Sequence, residues 1–354
     1  MDADTDTPVV LAVDGNSLVH RSFHAQARTG AHADGRPAWA VRGLLMQLVA
    51  AVDRIRPAVV VIGFDDPDHS VRREQWPAYK AQRADKLDTL VDQLATAVAT
   101  VHAMGLHVVV PAGLEADDVL ASAAALAPTL GARTVVVTSD RDAFALIDEH
   151  TRVLRIINGG VDASPVMTAD RLELLLGIRP EHYRDYAALR GDPSDNLPGV
   201  RGIGPRTAAA VLQHFGSAAA ACADLAAVES ALGAGVARRL RHADAHAAWA
   251  HNCEVMAMRH DVELGLDLAS GPGRLPLDAD AVRFACRRFG LTWTAKDALR
   301  VLADEHTDDV EPAAAPRSFA MPWQRTDPGW TPAPKRLPKL APRRPQPAQL
   351  SLFD

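Results

Sequence analysis

Glu115-Ala116-Asp117-Asp118 stands between a short apolar run, Val108-Val109-Val110 (closed by Pro111 and Gly113), and the helix-like Val119-Leu120-Ala121-Ser122-Ala123-Ala124-Ala125-Leu126-Ala127. Strand, turn, acid and helix in that order indicate one βα step of an α/β sheet. Three carboxylates in four positions repel one another unless something neutralises them. A helix N-terminus favours negative charge by less than about 1 kcal/mol per group, so an acidic first turn is one reading of the stretch. A second reading comes from Asp14, Asp65, Asp140, Asp142, Asp192 and Asp195, most of which follow other predicted strands. Hard oxygen ligands gathered at one edge of a sheet suit a divalent cation.

Working outward, Val9-Val10-Leu11-Ala12-Val13 is a continuous apolar run ending at Asp14-Gly15-Asn16-Ser17, as expected of a strand buried on both faces. The periodicity predicts a helix from Pro37 to about Ile55, then a strand at Val59-Val60-Val61-Ile62 ending at Asp65. Residues 66 to 88 are polar, with Arg72, Arg73, Lys80, Arg83 and Lys86 beside Trp76 and Tyr79. A helix to about Met104 and a strand over 106–110 precede the acidic stretch, and Arg133 to Thr138 forms a fourth strand before Ser139-Asp140-Arg141-Asp142. Ligands of such parallel sheets bind beyond the carboxyl ends of the strands, where these acids lie. Glu115 and Asp118, three apart, can share a helix face.

After about residue 168 the pattern is mostly helical. Within it, Gly199-Val200-Arg201-Gly202-Ile203-Gly204-Pro205-Arg206-Thr207 is a tight turn into a helix with Pro at its first position. Backbone N–H groups there can hold phosphate without reading sequence, although an ordinary loop would use the same residues.

The chain has 354 residues, nearly half apolar, with a net charge of −6. No apolar run reaches the length of a membrane span. The acidic N-terminus lacks a secretory pattern. Cys222, Cys253 and Cys286 are unpaired in spacing and read as thiols of a reducing compartment. The expectation is a soluble cytoplasmic protein working near the nucleoid. The net charge hides a division: from Pro312 onward the balance is +5, leaving −11 on the remainder. Ten of the 24 prolines fall between 312 and 347, so residues 306–348 read as a basic, disordered or polyproline linker. It leads to Gln349-Leu350-Ser351-Leu352-Phe353-Asp354.

Val13-Asp14-Gly15-Asn16-Ser17, Gly63-Phe64-Asp65, Tyr79-Lys80-Ala81-Gln82-Arg83, Glu115-Ala116-Asp117-Asp118, Thr138-Ser139-Asp140-Arg141-Asp142 and Gly191-Asp192-Pro193-Ser194-Asp195-Asn196 occur in this order. Together they resemble the 5′-nuclease, or flap endonuclease, superfamily, closest to the 5′-nuclease domain of bacterial DNA polymerase I. The resemblance covers about residues 8 to 305; no polymerase domain follows, as in a stand-alone version. It implies a parallel twisted α/β sheet flanked by helices, a PIN-like nuclease core over 8–167 with an arch at 66–88. A helix-hairpin-helix-type (helix–three-turn–helix) DNA-binding region would follow over 168–305.

The resemblance further implies two cations, Mg²⁺ or Mn²⁺. Asp14, Asp65, Glu115 and Asp117 would surround the first, with Asp117 shared. Asp140, Asp142 and Asp192 would hold the second, and Asp118 and Asp195 would act through water. Lys80 and Arg83, on one face of an arch helix, would contact the scissile phosphate, with Arg21 and His20 nearby. Tyr79 is a further candidate DNA contact. The turn with Gly199, Gly202, Ile203, Gly204, Arg206 and Thr207 would grip duplex backbone, with K⁺ on its carbonyls. Gln349, Leu350, Leu352 and Phe353 resemble the peptide by which bacterial proteins dock on the sliding clamp. The expected activity is metal-dependent 5′ flap endonuclease and 5′→3′ exonuclease cleavage of branched DNA or RNA–DNA primers by a monomer. A related RNA nuclease and a non-catalytic branched-DNA adaptor for the clamp are the alternatives.

Overall fold

The computed structural model describes residues 7–26, 32–33 and 36–305. The 306–348 linker and the clamp-like residues Gln349, Leu350, Leu352 and Phe353 lie outside them. The first elements are β1 (Val9–Asp14), α1 (Gly15–Gln26), a small hairpin of β2 (His32–Ala33) and β3 (Arg36–Pro37), and α2 (Trp39–Ile55). Then come β4 (Val59–Gly63), α3 (Val71–Gln75), α4 (Asp88–Ala103), β5 (His107–Val109), α5 (Ala116–Leu126) and β6 (Arg133–Thr138). The sheet is completed by β7 (Thr151–Arg155) and, after α6 (Gly160–Ala163), by β8 (Val166–Met167). Its order is β5-β4-β1-β6-β7-β8, parallel except for β8.

Alternation inside the continuous apolar strands explains the two cores. Leu11 and Val13 of β1 and Val60 and Ile62 of β4 point into one, with α1, α2 and α4. Val10, Ala12 and Val61 point into the other, with α5. The chain moves from β1 to β4 to β5 on one side and returns through α5 to β6 on the other side of β1. Between β1 and β6 the loops therefore diverge, which opens a crevice at the carboxyl edge. Asp14 pairs in register with Gly63, and Val13 with Val137, so Asp14, Asp65 and Asp140 reach that edge from adjacent strands.

The remaining chain is α7 (Ala169–Leu176), α8 (Tyr183–Arg190), the hairpin β9 (Gly191–Asp192) and β10 (Leu197–Pro198), and α9 (Pro205–Phe215). It continues with α10 (Ala218–Ala223), α11 (Leu225–Leu232), α12 (Ala234–Arg241), α13 (Ala243–Val255), α14 (Ala279–Arg288) and α15 (Thr292–Leu302). Elements from α8 to α12 extend the core on the α5 face, whereas α14 and α15 return to the other face and pack on α4 and α2. The helical half is thus divided between both faces of the sheet. Among the described residues no helix is long and apolar enough to cross a membrane.

Two expectations need correction, and one stretch the sequence pattern did not assign becomes clear: after Asp14 comes α1, which buries Leu18, Val19, Ser22 and Phe23. Pro37 ends β3, and the helix expected from it begins at Trp39. Residues 76–83 form successive turns rather than an arch helix; α3 ends at Gln75, and Lys80 sits in the left-handed region at φ 55°. Pro77 and the crowd of polar side chains leave no apolar stripe with which a helix there could dock.

Candidate active site

Asp14, at the end of β1, is almost fully buried. Its Oδ1 accepts from Ser17 N at 2.8 Å, and its Oδ2 from the Thr138 hydroxyl at 2.7 Å. Ser17 Oγ lies 2.5 Å from Ser139 Oγ and accepts from Ser139 N at 3.0 Å, fastening the first turn of α1 to the segment after β6. Burial pushes the Asp14 carboxyl up to about 7 against its two hydrogen bonds, with Asp65 and Asp140 adding repulsion. Asn16 donates to Asp65 Oδ2 at 2.7 Å, and Ala116 N at the start of α5 donates to Asp65 Oδ1 at 3.0 Å. Burial also raises Asp65.

Glu115 is the N-cap of α5. It and Asp118 form a capping box, each side chain accepting from the other's backbone N–H. Glu115 Oε2 accepts from Arg72 Nη1 at 2.5 Å and from the Tyr79 hydroxyl at 3.0 Å; Lys80 Nζ lies 3.1 Å from Oε1 and 3.2 Å from Oε2. Burial alone would raise this carboxyl, but Lys80 and Arg72 outweigh it and the net shift is downward. Asp118, 1% exposed, accepts from Arg72 Nη2 at 3.0 Å, Arg259 N at 2.9 Å and Glu115 N at 3.1 Å. Both of its oxygens are occupied by these partners.

The other side of the crevice is sparsely compensated. Asp117 is pushed well up by burial and then by Asp14 and Asp140. Asp142 is pushed up to about 8 by burial, followed by repulsion from Asp140, Asp192 and Asp195; its Oδ1 is buried without a hydrogen-bond partner. Asp192 caps the turn at 193–195, accepting from Ser194 N at 2.8 Å and Ser194 Oγ at 2.7 Å. Arg83 pairs with Asp195, whose backbone oxygen accepts from Lys80 N at 2.9 Å. Asp195 nonetheless rises, because burial outweighs Lys80 and Arg83. A narrow hole lined by Arg72, Tyr79, Asp117, Asp142, Asp195 and Met256 leaves room for about one water-sized sphere.

As these side chains stand, among the described residues no three metal-ligating groups converge as a closed cage. They are electrostatic neighbours across the crevice. The donor set nevertheless fits a hard cation: all are carboxylates, and one buried oxygen lacks any partner.

Several expected contacts are placed differently. Tyr79 is 6% exposed, packs with Leu197 and Val255, and uses its hydroxyl on Glu115, so its ring is not presented to a ligand. Ile203 is likewise buried, as a core residue beneath the turn. Lys80 and Arg83 pair with Glu115 and Asp195 rather than sharing one helix face; Lys80 is largely covered, whereas Arg83 stays exposed. Arg21 donates to Asn158 at 3.1 Å. His20 is half-buried and its imidazole is pushed down to about 4 by burial and the cations Lys86, Arg83 and Lys80. Gly202, Gly204 and Arg206 are exposed, Gly199 and Thr207 half-buried. Gly199 packs on Gly191 so closely that a Cβ on either would strike backbone within 2.3 Å.

Arg72 is the residue the sequence reading underrated. It joins Glu115, Asp118 and the Ala257 carbonyl, and only 12% of its side chain is exposed. Its place in a run of basic residues gave no sign that it turns inward.

Residues 9–174 match the family model for the N-terminal resolvase-like domain of 5′-3′ exonuclease, and 178–276 match that for its C-terminal SAM fold. The chain belongs to the 5′-nuclease superfamily. It is 36% identical over 279 residues to the thermostable DNA polymerase I of Thermus aquaticus, covering 79% of this chain and 30% of that one. DNA polymerase I of Mycobacterium tuberculosis is 36% identical over 215 residues, 60% of this chain and 24% of the relative. The chain thus spans under a third of the length of these polymerases. Among solved structures, the zinc-bound T5 5′-exonuclease superposes with a TM-score of 0.57 at 16% identity, covering 83% of this chain and 99% of that one. The catalytic core of Rad2 with a DNA substrate gives 0.56 at 16% identity over 86% and 94%. These likenesses establish a 5′-nuclease fold.

Proposed function

We propose that the protein is a divalent-cation-dependent 5′ nuclease that hydrolyses phosphodiester bonds at the junction of duplex DNA and a 5′ single strand, with 5′→3′ exonuclease activity. The observation that carries this reading is the acidic crevice between β1 and β6, where Asp14, Asp117 and Asp142 are forced upward and Asp142 Oδ1 has no partner. Solved relatives support the substrate and cofactor class: one is a T5 flap endonuclease pseudo-enzyme-product complex with DNA and metal ions, another human GEN1 with Holliday junction DNA.

Asp14, Asp65, Glu115 and Asp117 would hold one Mg²⁺ or Mn²⁺, and Asp140, Asp142 and Asp192 a second. When bound, two such ions activate water and stabilise charge on the attacking and leaving oxygens. The chain's own contribution begins with positioning. Thr138, Ser17 and Asn16 hold Asp14 and Asp65 in fixed orientations. Arg72 and the capping box fix Glu115, and Asp118 acts through them as a positioning residue. Lys80 and Arg83 sit beside the same carboxylates and would offer positive charge to non-bridging phosphate oxygens. No histidine is required as base, and His20, held neutral at pH 7, would donate or accept a hydrogen bond without carrying charge.

K⁺ at the 199–204 turn and RNA–DNA primers as substrates extend the same reading. So does clamp binding through Gln349, Leu350, Leu352 and Phe353, which would raise the local concentration at a junction. The deciding experiment is cleavage of a 5′-labelled flap duplex with Mg²⁺ or Mn²⁺, beside EDTA and single-strand controls. A short labelled product, only with metal and only from the branched substrate, is expected. Tight flap binding without cleavage would replace the nuclease by the non-catalytic adaptor.

A further inference from the structure

α12 carries a second feature of the turn at 199–204. Its sequence, Ala234-Gly235-Val236-Ala237-Arg238-Arg239-Leu240-Arg241, buries Ala237 and Leu240 and leaves Arg238, Arg239 and Arg241 exposed. Such spacing anchors one face of a short helix and turns the arginines outward. Arg239 does not project freely: its side chain lies across Gly202, where an added Cβ would sit 2.8 Å from Nε and 3.1 Å from Cδ. Gly202 also has φ +80°, so it is required both by backbone conformation and by the space that Arg239 occupies.

The charges around this contact are unbalanced. Arg201 and Arg206 on the turn, and Arg238 and Arg239 on α12, are exposed and carry no ion pair among the described residues. Arg241 reaches Glu229 only at 4.0 Å. Exposed arginines elsewhere are of both kinds: Arg56, Arg179 and Arg259 are paired with nearby acids, whereas Arg73 and Arg152 have no ion pair among the described residues. Arginine suits phosphate through its planar fork, and of the four unpaired ones on the turn and α12 it is Arg239 that is seated against the backbone of the turn. A phosphate held by the backbone N–H groups of the turn would meet that guanidinium as well.

We infer that Arg239, laid across Gly202, forms with the 199–206 turn a single surface for the phosphate backbone of duplex DNA. α12 thereby adds a contact outside the turn itself. Arg239 reads no base, and its effect is electrostatic and independent of sequence. This inference rests on the duplex-binding reading given above.

The test is equilibrium binding of the full chain to a blunt duplex and to a 5′-flap duplex in Ca²⁺, from about 50 to 200 mM salt. Arg239→Ala is expected to weaken both complexes and to reduce the slope of log affinity against log salt by about 0.9, the loss of one phosphate contact. Arg239→Lys should recover that slope, which a purely structural role for the side chain would not predict. An unchanged slope in Arg239→Ala would overturn the inference while leaving the nuclease reading intact, provided the unmodified chain binds duplex. Equal weakening toward single-stranded DNA, or tighter binding of an acidic peptide than of duplex, would also overturn it. Failure of the unmodified chain to bind duplex would remove both.

Discussion

At Glu115 negative charge meets Arg72, Lys80 and the Tyr79 hydroxyl, and its carboxyl is held below the usual range. Across the crevice, Asp142 faces Asp140, Asp192 and Asp195 with one oxygen unpartnered, and its carboxyl is pushed to about 8. Both groups stand at the carboxyl edge of one sheet, yet the first is neutralised by the chain and the second is left facing other carboxylates. The difference separates acid that the fold already compensates from acid that it does not, although the proposed first cation would draw on Glu115 as well. A buried carboxylate with fixed donors stabilises its surroundings, whereas one facing its own kind costs stability until a cation arrives.

The largest expected effect is catalytic. Asp14→Ala or Asp140→Asn should lower flap cleavage by at least about a thousand-fold, the scale of losing metal-based charge stabilisation, while sparing most duplex binding. Normal turnover in either would remove the cation assignment. Next, the two sides should respond with opposite signs in urea unfolding with EDTA present. Arg72→Ala leaves Glu115 and Asp118 short of their buried partner and should cost about 3 kcal/mol. Asp142→Asn relieves repulsion and should stabilise by about 1 kcal/mol. Shifts of the same sign would erase the contrast.

Acidity offers a third handle. Asp14 at about 7 and Asp142 at about 8 lie above an ordinary aspartate at 3.8. The folded protein therefore retains protons that the unfolded chain releases between about pH 4 and 8. Stability in EDTA should fall as pH rises through that window, and Mg²⁺ should remove the decline. A melting temperature that rises from pH 5.5 to 8.5 in EDTA would contradict the assigned burial. The smallest effect is expected of Tyr79→Phe. Losing one hydrogen bond to a charged acceptor costs about 1.5 kcal/mol, and flap affinity should hold; a large loss of affinity with unchanged stability would return Tyr79 to the DNA.

Much of this was legible in the sequence, and for physical reasons. Val9–Val13, Val59–Ile62 and Arg133–Thr138 are strands buried on both faces, so continuous apolar runs expose them, and the acids after them follow by topology. α1 was hidden because its stripe of Leu18, Val19 and Phe23 is interrupted by polar residues, among them His20 and Arg21, and because its capping side chain, Asp14 accepting from Ser17 N, reads in the sequence as the end of a strand. The resemblance put Lys80 and Arg83 on one face of an arch helix, but their three-residue separation fits a chain of turns as well. Nor can spacing tell whether a carboxylate looks into a crevice or back at its own helix, which is why Asp118 and Arg72 became clear only in three dimensions.

Arg72 also imposes a schedule. The Ala257 carbonyl it holds lies 185 residues further along the chain. At ribosomal speeds of about 5–20 residues per second, that separation takes roughly ten to forty seconds to synthesise. Arg72 can meet Glu115 and Asp118 as soon as these are made, but the Ala257 carbonyl and the Arg259 N–H that complete their setting follow only with the end of α13, so the acidic centre is finished long after its own acids have been synthesised.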